Sequence, residues 1–305
     1  MDGKHRAHDR AGRCAIAIMA KAPDAGRVKT RLLPLLRPEE ARELSGCFLR
    51  DMTHMLSAAG RTAAIDGYIA FAPAGSEASF APIIAPGTEC VLADGSIDAP
   101  AGVVGFGRCL LQAAQALFAR GYGAVGLLNS DSPTLPAGLI VETARLLAQP
   151  GDRAVLGPAT DGGAYLLGLK APHPELFAGI DWSTERVAAQ TRAAAQRRGL
   201  ALAEIDTWYD VDDPASLGQL LRDLSAARTP SPRRGEGRGD GVTELAIGQE
   251  PPHPTIASKL AIVDLSPPGR GERNWAPYDA PSTAQWLQRN AIAARLAKSE
   301  KLGAS

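Results

Sequence analysis

The sequence has no excess of charge of either sign: lysine plus arginine and aspartate plus glutamate number 33 each, for a formal net charge of zero. No basic field exists to draw nucleic acid or an anionic membrane to the protein, so any polyanion must be held locally. Cysteine is scarce as well. Cys14, Cys47, Cys90 and Cys109 lie far apart with no C-x-x-C pair, which argues against a zinc cage or a disulfide framework and suits a reducing compartment. A long hydrophobic run is missing too. The opening MDGKHRAHDRAGR is polar, and the CAIAIMA after it is too short for a signal segment or a membrane span. The cytoplasm is the expected location. Finally, neither G-x-x-x-x-G-K-[ST] nor G-x-G-x-x-G follows that first apolar run, which removes the P-loop and dinucleotide-binding classes.

What is present is a chain of 305 residues, 45% apolar, enough for a sizeable core. From 14 to 227, short β-branched or apolar runs alternate with longer amphipathic segments, the pattern of repeated β-α units on a mostly parallel sheet. The pattern predicts strands at 14–20, 65–72, 89–92, 124–129, 153–157, 163–169 and 201–205. It predicts helices at 38–58, 105–120, 136–149, 184–198 and 213–226, with Pro38, Pro136 and Pro214 at starts and Gly121 and Gly199 past ends. The fold expected is a three-layer α/β/α sandwich. Residues 1–13 read as a flexible N-terminus and 14–227 as the single domain. After Ala227 the composition changes: TPSPRRGEGRGDG and LSPPGRGERN crowd proline, glycine and arginine, so 228–273 reads as a disordered, low-complexity extension. Within 274–305, the segment 281–300 carries Trp286, Leu287, Ile292 and Leu296 on one helical face and is expected to dock on the domain or on a partner.

Four loops have residues suited to chemistry. In MAKAPDAGRVKTRLLP, Gly26 permits a tight turn, and Lys21, Arg27, Lys29 and Arg31 follow a strand end, where α/β sheets bind ligands. A di- or triphosphate is the natural guest, and a solvated basic loop is the plain alternative. In LLNSDSPTLP, Asp131 lies past a strand end, placed either to hold a hard divalent cation or to make an Asx turn. In WYDVDDPASL, Asp213 and Pro214 read as N-cap and first helical residue. That leaves Asp212, with Asp210 as a second candidate, to pair with Asp131 around Mg2+ or Mn2+ and leave positions open for water and phosphate oxygens. In LGPATDGGAYLLGL, Gly162 and Gly163 let a substrate approach the backbone, and Asp161 is suited to orient an acceptor hydroxyl or act as general base. A D-G-G hairpin turn is the competing reading.

Together MAKAPDAGRVKTRL, LLNSDSPTLP, LGPATDGGAYLLGL, DWSTERVAAQT and WYDVDDPASL resemble, in order over about 15–222, the DUF2064 family of predicted GT-A type glycosyltransferases. That family lies in the nucleotide-diphospho-sugar transferase superfamily, whose sheet is Rossmann-like, and is similar to phospholactate guanylyltransferases. The resemblance implies metal ligation by Asp131 and Asp212, a phosphate-binding role for Lys21, Lys29 and Arg31, and a W-S-T element at Trp182, Ser183 and Thr184, for which a helix cap at Ser183 or Thr184 and a core place for Trp182 are the competing readings. The chain departs from the family in LADGSIDAPAGVVGFGRCL, where Asp94, Gly95, Gly105, Gly107 and Arg108 would have to form the base or sugar pocket. It departs again at Ala164, where relatives carry an aromatic residue. The first function expected is glycosyl transfer from a nucleotide-diphosphate sugar to a small acceptor, with a divalent metal on the diphosphate and Asp161 facing the acceptor. The second is nucleotidyl transfer from a nucleoside triphosphate to a phosphorylated small molecule, with release of pyrophosphate. The third is a catalytically degenerate nucleotide-binding protein.

Overall fold

The computed structural model describes residues 10–24, 26–227 and 276–303. The chain divides into one compact unit, Met1–Arg228 with Trp275–Ser305, and a remainder, Thr229–Asn274, that lies outside the described residues. The sequence reading of 228–273 as disordered and most of the flexible 1–13 segment therefore fall outside the description.

Seven strands form one sheet: β1 (Cys14–Lys21), β2 (Ile65–Ala72), β3 (Glu89–Leu92), β4 (Ala124–Leu128), β5 (Arg153–Pro158), β6 (Ala164–Leu169) and β7 (Ala201–Glu204). Their order is β3-β2-β1-β4-β6-β5-β7. Every pairing is parallel except those of β6, which runs antiparallel to both β4 and β5. The helices are α1 (Pro38–Gly60), α2 (Phe106–Ala119), α3 (Ala137–Ala148), α4 (Val187–Arg198), α5 (Pro214–Ala227), α6 (Pro281–Arg289) and α7 (Ile292–Gly303).

Strand alternation divides the core between two faces, because successive side chains of a strand point opposite ways. Ala15, Ala17 and Met19 of β1 join Tyr68, Val125 and Leu167 under α2 and α4. Cys14, Ile16 and Ile18 join Ile69, Leu128 and Tyr165 under α1 and α3. The expected three-layer α/β/α sandwich with a mostly parallel sheet is what the chain forms. A third apolar cluster lies beyond the sheet: Leu44 and Phe48 of α1, Leu217 and Leu220 of α5, Trp286 and Leu287 of α6, and Ile292 and Leu296 of α7.

The structure differs from the sequence reading at two helix boundaries. The helix expected from 184 starts at Val187, and the residue before the expected start, Ser183, takes a positive φ of 65°. The segment 281–300 is two helices, broken where Ala291 takes φ 49°. Among the described residues no helix is long and apolar enough to cross a membrane.

Candidate active site

Three loops meet at the carboxyl edge of the sheet, and backbone hydrogen bonds join them. The loop after β4 holds Asp131, whose carbonyl accepts the Val211 N–H at 2.8 Å. Ser132 Oγ donates to the Tyr209 carbonyl at 3.0 Å, and the Tyr209 hydroxyl reaches Thr134 Oγ1 at 3.1 Å. The Asp161 loop is fastened to the same turn by Thr160 N–H donating to the Trp208 carbonyl at 3.0 Å. Residues far apart in sequence are thus fixed by main-chain geometry rather than by flexible side chains, as a preorganised site requires.

Lys29 sits at the centre. Its backbone is left-handed (φ 50°, ψ 40°) just before a short 3-10 turn, Thr30–Leu32. Its Nζ lies 2.6 Å from Asp131 Oδ1 and 3.6 Å from Asp212 Oδ1, with its side chain only 4% exposed. The ammonium also donates to the Val211 carbonyl at 2.6 Å and lies 4.8 Å from the centre of the Phe48 ring. Arg31 is solvent-facing and 3.8 Å from Asp212 Oδ2.

Charge is unevenly balanced here. The Asp210 carboxyl is pushed up to about 6, first by burial and then by the neighbouring Asp212, Asp161 and Asp131 charges. Asp212 is also raised, by burial and by Asp131, against the opposing pull of Lys29 and Arg31. Asp213 behaves differently: its Oδ1 accepts the Ser216 N–H at 2.8 Å, the N-cap geometry of α5, and its carboxyl is held below the ordinary range, chiefly by that bond.

The open space has two adjoining lobes. The larger, about 460 Å³, is lined by Lys21, Arg27, Lys29 and Arg31 together with Asp131 and Asp212. The smaller, about 250 Å³, is lined by Asp161, Gly163, Trp182, Thr184 and Asp210. Arg31, Phe106, Ser130, Asp131, Ser183 and Asp212 border both. One lobe is cationic and one is acidic and hydroxyl-lined, and the two carboxylates stand at their junction.

The donor set suits a divalent cation in part. The facing Oδ1 atoms of Asp131 and Asp212 already converge on one cationic nitrogen, and oxygen donors match magnesium or manganese. Among the described residues no group of three or more carboxylate, imidazole or thiol ligands comes together. These two aspartates would hold the ion and leave its other positions to water and phosphate oxygens, where it would neutralise charge building on a leaving group. Asp210 borders the acidic lobe only.

Several residues singled out in the sequence lie elsewhere. Asp94, Gly95 and Arg108 do not line either lobe. Arg108 donates to the Gly95 carbonyl at 2.9 Å and also to that of Ile97, and Asp94 accepts the Ser96 N–H at 3.0 Å, so their polar groups stabilise their own loop. Gly26 is a turn residue with φ 76° outside the lining. Gly162 faces away: its carbonyl accepts the Ala188 N–H at 3.1 Å at the start of α4. Asp161 accepts the Gly163 N–H at 2.8 Å. Trp182 stacks on Phe177 with centroids 6.1 Å apart, and Thr184 Oγ1 donates to the Asp181 carbonyl at 2.7 Å.

The sequence reading passed over Phe106, Ser130 and Cys109, all of which line the larger lobe. Phe106 is 41% exposed, with its ring 6.4 Å from that of Trp182. Its signal was legible: an aromatic residue between Gly105 and Gly107 at a helix start has little chance of being core.

Comparison with known proteins agrees with this architecture. A crystal structure from Desulfovibrio desulfuricans G20, provisionally assigned as a nucleotide-diphospho-sugar transferase, is 29% identical, with a TM-score of 0.61 over 72% of this chain and 90% of that one. A CMP:2-keto-3-deoxy-manno-octonic acid synthetase bound to CTP is 12% identical, with a TM-score of 0.45 over 71% of this chain and 100% of that one. A manganese complex of a Mycobacterium tuberculosis H37Rv protein, Rv0371c, is 15% identical, with a TM-score of 0.40 over 69% and 98%. No curated protein matches the chain in sequence. The family described as an uncharacterized protein conserved in bacteria, DUF2064, matches residues 55–184. That match contains the Asp131 and Asp161 loops and stops short of Asp212. Over residues 55–184 the chain is similar to the DUF2064 family, the family that its motifs resemble.

Proposed function

We propose that the chain is a transferase that takes a nucleotide-diphosphate sugar and passes the sugar to a small acceptor, with Mg2+ or Mn2+ bound by Asp131 and Asp212. The observation that carries this reading is the pair of lobes meeting at those two carboxylates, one lined by four cations and the other by Asp161, Asp210 and Thr184. Lys21, Arg27 and Arg31 hold the diphosphate in the larger lobe. The acceptor occupies the smaller one, where Asp161 takes the proton of the attacking hydroxyl. The transferase assignment of the similar Desulfovibrio protein supports the same reading. The four cysteines are free thiols, consistent with a cytoplasmic enzyme.

Nucleotidyl transfer is the second reading, favoured by the density of cations: Lys21, Arg27 and Arg31 would suit a triphosphate whose pyrophosphate leaves. Calorimetric titration with nucleoside triphosphates and nucleotide-diphosphate sugars, with and without Mg2+ or Mn2+, separates the two. Metal-dependent preference for a nucleotide sugar supports glycosyl transfer. Preference for a triphosphate moves the assignment to nucleotidyl transfer, and no binding of either leaves a degenerate protein.

A further inference from the structure

We propose that Lys29 is a built-in counter-cation that a divalent metal must displace from between Asp131 and Asp212, so that metal binding releases the Lys29 ammonium into the larger lobe. This rests on the reading of Asp131 and Asp212 as the metal ligands. Sequence reasoning placed Lys29 with the phosphate-binding cations, yet its ammonium lies 2.6 Å from Asp131 Oδ1 and 3.6 Å from Asp212 Oδ1. A metal shared by those facing oxygens needs bonds of about 2.0 to 2.6 Å, and the volume it would take is the one Nζ fills.

The position of Lys29 is built rather than incidental. Its side chain is 4% exposed, its Nζ lies 4.8 Å from the centre of the Phe48 ring, and the Val211 carbonyl accepts a 2.6 Å hydrogen bond from Nζ. Its left-handed backbone carries a conformational cost that the surrounding contacts must offset. Two like charges cannot share this space, because their repulsion at such range is large even at the effective dielectric of a protein surface. Phosphate recognition does not depend on Lys29 alone, since Lys21, Arg27 and Arg31 line the same lobe. Lys29 lines it too, so its released ammonium meets a phosphate brought in with the metal. Lys29 thereby offsets part of the charge of Asp131 and Asp212, and metal alone binds weakly while metal with a phosphate-bearing donor binds well.

The test is Mn2+ binding to the purified protein without nucleotide, read from the free-ion paramagnetic resonance signal, for wild type, Lys29→Met, Lys29→Asn and Asp131→Asn. Methionine keeps a long unbranched side chain in this buried place, and asparagine tolerates the left-handed backbone, so the two together guard against misfolding of either. The expected result is Mn2+ affinity at least about tenfold higher in both Lys29 variants than in wild type, with a larger Mn2+-induced rise in Tm. Affinity equal to or below wild type in both variants, with binding lost in Asp131→Asn, overturns the displacement while leaving the metal site standing. Binding that Asp131→Asn does not affect overturns the metal site itself and the displacement with it.

Discussion

Asp131 and Asp212 stand on loops, with side chains 30% and 38% exposed, and their contact with Lys29 is their main tie to the interior. Asp131→Asn should therefore keep the fold, cost about 1–3 kcal/mol through the weakened Lys29 pairing, and reduce metal-dependent turnover by roughly a thousandfold; denaturant titration and steady-state rates read the two effects. Asp212→Asn should behave alike, and activity retained in either variant refutes the site. Gly162 is a second point where one residue decides. It has φ 90°, and a Cβ built there lies 2.3 Å from the Glu185 carbonyl oxygen. Gly162→Ala should destabilise by about 2 kcal/mol or more, seen as a lower urea midpoint with an unchanged slope. Residue roles were legible where local chemistry dictates them: Asp213 ahead of Pro214 reads as a cap and is one. The partners of Lys29 were not legible in the sequence, because Asp131, Val211 and Phe48 arrive from distant segments. Nor does a local pattern show that Arg108, an arginine near glycines, bonds the Gly95 and Ile97 carbonyls.

Helices α6 and α7 are the elements whose importance the sequence understates. They bury Trp286, Leu287, Ile292 and Leu296 against α1 and α5. Polar contacts set their position: Asp51, 1% exposed, accepts the N–H groups of Ser282 at 2.9 Å and Thr283 at 2.7 Å, and Arg295 pairs with Glu40 at 3.0 Å. At about 1.5–3 kcal/mol for each fully buried large apolar side chain, removing 276–305 should cost about 5 kcal/mol or more, a large share of a domain's usual margin. Deletion should lower Tm sharply and expose apolar surface to a dye such as ANS, whereas an unchanged Tm shows that the docking is dispensable. The docking also has a pH signature. Glu40 is lowered to about 2, first by its bond to Arg295. A depressed carboxylate contributes stability that is complete above the ordinary value near 4.5 and is lost as pH falls toward 2. Acid titration of Trp fluorescence should show a transition in that window, and Glu40→Gln should remove it. The sequence's apolar face predicted docking but not its partners, because nothing in a local pattern says which buried aspartate or glutamate will receive a helix.

At the scale of the whole molecule, the seven strands fall within a residue or two of their predicted positions, because each is a short apolar run bounded by turn residues. Their directions were less accessible. The short D-G-G connection turns β6 back against β5, and β6 also runs against β4; the loop is thus the hairpin turn its composition allows, and Asp161 on that turn lines the acidic lobe. The sheet order puts β1 beside β4, and so the loops bearing Lys29 and Asp131 leave adjacent strand ends, as ligand sites at a switch in strand order do. One contact has consequences in time rather than space. The Tyr278 N–H donates to the Thr134 carbonyl at 3.0 Å, just past Asp131, and the helices that follow it cover Leu44, Phe48 and Leu217. A ribosome that has finished residue 227 has made every strand and every site carboxylate, yet this apolar seam beside the site is still bare. Chains emerge N-terminus first, so this domain completes its fold only after residues 276–303 have been made. A message cut short in the intervening segment yields a complete sheet with an open flank, a substrate for chaperones and proteases rather than a smaller stable domain.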